Sequence, residues 1–318
     1  MNTQQTAATA RPIAAAISAV LPATLDDAFT YHGMCDASAA AAIGRDLFVV
    51  ANDERNELKV YHRGQAEPVD IIDLADFLDT PDDKEADLEG AATIGQRIYW
   101  ISSHGRNSKG KFRQGRCRFF ATDLTGDSEH LEAVGEPYTK LLDDMIAAPQ
   151  LGKYALARAS SKMPEAEGAF NIEGLAATAD GGLLIGLRNP APQGRALVIP
   201  LNNPAEVVEG KAGPQFGEGI ELDLGGLAIR SMELVGLAYM IVAGPPGDTG
   251  EFALYQWSGD ARDAPVQLLH DDFGAVRPEA LFAIPGTRKV QLLSDDGGAH
   301  VKKLPEDQQR FRSVTVTL

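Results

Sequence analysis

The sequence predicts an all-β protein, a single five-bladed β-propeller with short helical rim insertions, and three observations carry that expectation. The first is a repeated phrase. Asp87-Leu88-Glu89-Gly90-Ala91 and Asn171-Ile172-Glu173-Gly174-Leu175 each lead into an apolar run, with fainter copies at Asp36-Ala37-Ser38-Ala39-Ala40, Ser231-Met232-Glu233-Leu234 and Pro278-Glu279-Ala280-Leu281. Units that cannot bury their own faces must stack against copies of themselves. The second is spacing: Ser38 to Asn52 and Glu89 to Ser103 are both 14 residues, and Glu173 to Arg188 is 15. The third is texture. The chain is cut into short continuous apolar runs bounded by turns, the pattern of strands buried on both faces, and Gly 32 with Pro 18 supplies those turns.

Taken in order, the first unit reads DASAAAAIG, RDLFVVANDERN and ELKVYHRG, with PVDIIDL as its outer strand. The second reads DLEGAATIG, QRIYWISS and RCRFFATDL, and the third NIEGLAATADG, GLLIGLRNPAPQ and RALVIPL. IRSMELVG, AYMIVAGPPGDTG, FALYQWSGD and VQLLH make the fourth, and RPEALFAIPG, KVQLLSDDGG and FRSVTVTL the fifth. The chain ends on a strand, so AFTYHGM near the start is expected to pair within that same blade and close the ring, which removes exposed edges.

Two stretches depart from the pattern. Around residues 138–168, Leu141, Leu142, Met145 and Ile146 have helical spacing and predict a rim insertion, with a degenerate sixth blade hidden there as the alternative. A short helix is expected after Thr80, where DDKEAD leads into Asp87. Residues 1–25 read as a flexible leader and 26–318 as one propeller domain. Only Arg11 precedes a weak apolar run at Ile13 to Leu21, so the leader is a poor secretory signal and a cytoplasmic protein is expected, periplasmic if the leader acts as one. No stretch is long enough to span a bilayer as a helix.

A formal net charge of -16 repels nucleic-acid phosphates and anionic lipid, which excludes nucleic acid as the expected partner. The basic stretch from Arg106 through Lys109, Lys111, Arg113 and Arg116 to Arg118 reads as a solvated loop, with capture of an anionic ligand as its alternative reading. Cys35 and Cys117 have no metal-ligand spacing and read as buried or half-buried thiols. The glycine-rich loops of nucleotide folds and the Gly-x-Ser-x-Gly elbow are both missing.

The first strand of each blade lines the channel, so Asp36, Glu89, Glu173 and Glu279 are expected to converge at one mouth, with Glu233 a further candidate. Crowded carboxylates repel and recruit a cation; oxygen-only ligands favour Ca²⁺ or Mg²⁺. Arg188, Arg230 and Arg277 stand near the same strand ends and offer the alternative neutralisation by guanidinium. Loops on that rim carry Asn52, Asp53, Glu54 and Arg55, then His104 and Arg106, then Arg188 and Asn189, then Asp295 and Asp296. His104 is the imidazole placed there for general acid or base work.

The stretches DLEGAA…IYWISSHGRNSKG, NIEGLAATADGGLLIGLRNP and PEALFAIPG resemble a bacterial family known as domain of unknown function 3616, from about Thr30 onward. That resemblance implies an architecture and no reaction. More distantly, the Glu-Gly-Leu/Ala phrase is similar to the first-strand signature of the calcium-dependent gluconolactonase and paraoxonase propellers and of esterase-like phytases. By that likeness Glu89 and Glu173 would ligate metal, although the Asn ligands of such lactonase sites have no unambiguous match here. The resulting expectation is a divalent-metal-dependent hydrolase of small esters, lactones or phosphoesters. In it Asp36, Glu89, Glu173 and Glu279 hold the ion, His104 moves the proton, and Arg106 or Arg188 holds an anionic substrate. The competing expectation is a non-catalytic scaffold that binds a small molecule or a protein on the propeller face, its acids neutralised by Arg.

Overall fold

The computed structural model describes residues 23–52, 55–80, 84–126, 130–164, 166–247, 249–274, 276–298 and 300–318. Most of the expected leader, together with Asp53 and Glu54 of the first rim loop, lies outside the described residues.

Among the described residues the strands form five antiparallel sheets, which are the blades. Blade one holds Ala37–Ile43, Leu47–Asn52, Glu57–His62 and Pro68–Asp73, from axis to outside. Blade two holds Leu88–Ile94, Arg97–Ser102, Phe119–Thr125 and His130–Tyr138. Blade three holds Asn171–Ala177, Leu183–Asn189, Ala196–Leu201 and Ile220–Leu222, and blade four Ala228–Val235, Ala238–Gly244, Ala253–Trp257 and Val266–His270. Blade five takes Pro278–Ala283, Lys289–Ser294 and Arg310–Thr317 from the end of the chain. Its outer layer is the N-terminal Phe29–His32, in register from Phe29 opposite Ser313 to His32 opposite Arg310. Thr24–Leu25 also pairs with Arg310–Thr317, so the sheet begins within the stretch read as leader.

The inner strands touch one another in cyclic order, and the core is divided accordingly into one apolar cluster per blade interface. At the axis the approach is close enough to select glycine. A Cβ on Gly90 would stand 2.9 Å from Ile101 Cγ2 and 3.0 Å from Leu175 Cβ, and one on Gly174 would stand 2.7 Å from Ile229 Cγ2. The glycine of the repeated Glu-Gly phrase is therefore a packing requirement of the neighbouring blade.

The insertion between blades two and three is helical, at Leu141–Ala147, Pro149–Tyr154 and Leu156–Ala159, and among the described residues it holds no sixth blade. Leu141, Leu142 and Met145 enter the core between those blades, whereas Ile146 of the same expected stripe stays 36% exposed. A short helix lies before Thr80, at Ala75–Leu78, where Leu78 joins the core between blades one and two; the stretch expected to be helical after Thr80 begins at residues 81–83, which lie outside the described residues. Cys35 and Cys117 are free and buried. No helix among the described residues is long and apolar enough to cross a membrane.

Closure of the ring rests on an aromatic knot. Tyr31, 2% exposed, stacks on Phe311 with ring centroids 5.2 Å apart and meets Phe48 at 5.1 Å and Tyr61 at 5.3 Å, while Tyr61 donates to the His32 carbonyl at 2.7 Å. Tyr31→Ala is expected to lower unfolding stability by about 3–5 kcal/mol, measured by denaturant melts, because it empties the site where the two chain ends meet.

Candidate functional site

Every inner strand breaks its pairing register near its start. The skipped residue is Ser38 in blade one, Glu89 in blade two, Glu173 in blade three, Arg230 in blade four and Glu279 in blade five. A bulge leaves one residue unopposed by the next strand and re-aims its side chain. Five equivalent bulges around one axis thus place five side chains at a common mouth, and the ring they form is mixed in charge.

Arg230 is its centre. Its Nε lies 3.0 Å from Glu279 Oε2 and 2.9 Å from Glu173 Oε2, and its Nη2 donates to Glu279 Oε1. The single Nε proton goes to Glu279, which leaves Glu173 Oε2 with the charge contact and no hydrogen bond. Glu173 Oε1 instead accepts from Arg188 Nη1 at 3.0 Å and from Asn171 Nδ2 at 2.9 Å. Arg188 is held in turn by the Pro246 carbonyl at 3.0 Å and the Gly247 carbonyl at 2.8 Å, so the loop after the second strand of blade four carries the outer wall of the network.

The side chains of Glu173 and of Arg230 and Glu279 are 3%, 8% and 8% exposed, so these charges see protein rather than water. Burial alone would lower the Arg230 guanidinium, but Glu173 and then Glu279 outweigh it and raise it above its ordinary value. Burial raises the Glu279 carboxyl, with Glu173 adding to it and Arg230 opposing. Glu89 acts on Arg230 electrostatically from blade two.

Other expected site residues stand apart from this ring. Asp36 precedes its blade's bulge by two residues: its backbone bridges Asp295, it is 2% exposed, and Lys302 Nζ lies 2.9 Å away. Burial pushes its carboxyl up to about 8, Asp295 adding to the effect. Ser38, and not Asp36, is the blade-one member. Arg230, and not Glu233, is the blade-four member, and the clue was present: Arg230 to Gly244 repeats the 14-residue spacing of Ser38 to Asn52.

His104 sits in the rim loop after the second strand of blade two, with φ of 54° and 2% exposure. Its Nδ1 bonds the Ser102 carbonyl at 2.8 Å, its Nε2 has no hydrogen-bond partner among the described residues, and burial pushes its pKa down to about 4. The imidazole is neutral at pH 7 and sealed from the mouth. Arg106 braces its loop to the insertion through the Ser160 carbonyl at 2.8 Å and the Gly110 carbonyl at 3.1 Å. Among the described residues no group of three or more His, Cys, Asp and Glu side chains is placed to hold a metal ion.

Ring closure by the N-terminal strand, five blades and a mixed-charge mouth define a five-bladed β-propeller. The chain belongs to the family described as "Protein of unknown function (DUF3616)", which matches residues 36–118 and 121–292. Comparison with curated protein sequences finds no match. Among solved structures the chain is similar to glutaminyl cyclase of Myxococcus xanthus, at 10% identity over 93% of this chain and 96% of that one with a TM-score of 0.48. It is also similar to the PQQ-bound aldose sugar dehydrogenase of Streptomyces coelicolor, at 13% identity over 91% and 98% with a TM-score of 0.45. Likeness at this level carries nothing about activity.

Two outcomes follow from the charges. Arg230→Met is expected to cost about 3–5 kcal/mol at neutral pH by leaving Glu173 and Glu279 buried without their shared cation, and the deficit should shrink in melts at pH 5, where Glu279 takes up a proton. Glu233, on the blade-four inner strand, makes no ion pair or hydrogen bond among the described residues, and its enclosure by the surrounding protein pushes it up to about 8. Its folded value exceeds the ordinary carboxylate value, so the protein loses stability as pH rises from about 4.5 through about 8. Glu233→Gln should therefore stabilise the fold in denaturant titrations at pH 9 and much less at pH 5.

Proposed function

We propose that this propeller is a binding module that works through its rim loops, and that its axial acids form a structural charge network rather than the centre of a metal-dependent hydrolase. The observation that carries this reading is the position of Arg230, within 3.0 Å of both Glu173 and Glu279. A cation is already built into the chain at the point where the two carboxylates meet. A divalent ion there would have to displace the guanidinium or sit beside it as a like charge, in surroundings where such repulsion is weakly screened.

The expected proton carrier supports the same reading. His104 is buried, and its ring is held by a backbone carbonyl. An imidazole lowered to about 4 is a weak base near neutral pH, and one without access to the mouth cannot reach a substrate there. Arg106 is committed to bracing the loop, and Arg188 to Glu173 and the blade-four loop.

Divalent ions test the proposal directly. Millimolar Ca²⁺ or Mg²⁺ is expected to leave the melting temperature unchanged, and a chelator is expected to do the same, because a ligand specific to the native state must stabilise it. A rise of several degrees with either ion, lost in Glu89→Gln or Glu173→Gln, would sink the proposal and restore an axial metal site.

A further inference from the structure

A cavity of about 450 Å³ opens at the rim between blades one and two. One wall comes from the link between those blades and the other from the loop joining the second and third strands of blade two, which is the basic stretch of the sequence. Lys84, Arg113, Arg116 and Arg118 line it against Asp79 and Glu85. The chain as a whole carries -16, so four cationic side chains among the described residues around one concavity run against its average.

The cations are not equivalent. Arg116 pairs with Glu85 and with buried Asp87, and its charge is met. Arg118 is 3% exposed and every bond it makes is to a backbone carbonyl: Nε to Leu78 at 2.7 Å, Nη1 to Gln114 at 2.6 Å and Cys117 at 3.2 Å, Nη2 to Asp79 at 3.3 Å. Carbonyls satisfy the N–H groups but carry no net charge, so a buried guanidinium held this way keeps its positive charge without a paired carboxylate. Burial lowers its pKa, with Cys117 and then Asp79 opposing only through space. Bracing the two walls explains where Arg118 sits; it does not explain a buried cation with no carboxylate in ion-pair contact among the described residues. Arg113, at the exposed lip, has no side-chain partner among the described residues.

We propose that this cavity binds a small metabolite carrying a multiply charged oxyanion, a phosphate or a polycarboxylate, with Arg118 supplying fixed charge from the wall and Arg113 closing on the anion from the lip. The volume exceeds what inorganic phosphate alone would fill and suits a small organic molecule with such a group. This deepens the reading of the protein as a rim-acting binding module.

Calorimetric titration of the full chain with pyrophosphate and, separately, with citrate at low ionic strength tests it, with glucose as the uncharged control. Saturable binding of either anion and none of glucose is expected; preference for pyrophosphate assigns a phosphate ligand and preference for citrate a polycarboxylate. Arg113→Ala should weaken that binding roughly tenfold or more and Arg113→Glu should abolish it. Both should leave the melting temperature of the free protein unchanged, since this side chain is exposed and unpartnered. Failure of both anions to bind, or binding undiminished in Arg113→Glu, would overturn the proposal. Stabilisation by Ca²⁺ with oxyanion binding intact would overturn only the axial reading.

Discussion

Close approach of the inner strands at the axis is the constraint from which the rest of the molecule follows. Where a Cβ on Gly174 would stand 2.7 Å from Ile229 and one on Gly90 2.9 Å from Ile101, there is no room for a side chain at those two positions. The chain responds with Ala and Gly along these strands and with a bulge near each strand's start, which turns one longer side chain out of the packed layer. A polar ring at the mouth is the consequence of that packing. Its composition is then a matter of electrostatics: acids alone would repel, and one Arg placed among them offsets the cost of burying Glu173 and Glu279.

That arrangement also explains why the network reaches beyond the ring. Arg230 has one Nε proton for two carboxylates, so Glu173 must complete its bonding elsewhere, and Asn171 and Arg188 supply it. Arg188 is held by the Pro246 and Gly247 carbonyls of the next blade. Three blades are thereby tied at the mouth by charge-assisted bonds, while the aromatic knot around Tyr31 ties the seam between blades five and one by packing. Buried ion pairs of this kind add little net stability over an apolar replacement, but removing one partner strands the other, which makes the geometry specific.

Much of this was legible in the sequence, and what was not has a physical reason. Blade number and the closing strand follow from local apolar runs and turns, which are set by residues near one another in the chain. Glu89, Glu173 and Glu279 were found because their neighbours repeat; Arg230 was named as a neutralising cation but not as the ring's blade-four member, because residue type, rather than position, was matched and Glu233 drew attention three residues downstream. Asp36 misled in the same way, since the bulge that defines the ring is a register feature and has no residue-type signature. The sealing of His104 depends on how its loop packs against Arg116 and Phe170 segments far from it in sequence, which no local pattern reports.

Arginine is used here in three distinguishable ways, and the distinction bears on where a ligand would be felt. Paired with carboxylates, as Arg230 and Arg116 are, the guanidinium is electrostatically quiet. Held by carbonyls near water, as in the Arg106 loop, it braces structure and its charge is screened. Held by carbonyls and buried, as Arg118 is, it keeps a field that Cys117 and Asp79 offset only in part and that solvent screens poorly. In a chain with net charge -16 the long-range field disfavours anions everywhere, so anion capture has to be local, short-ranged and steeply dependent on such a residue. A uniformly basic surface would attract many anions without discrimination; one buried cation without an ion-paired carboxylate in the wall of a cavity would select those small enough to enter.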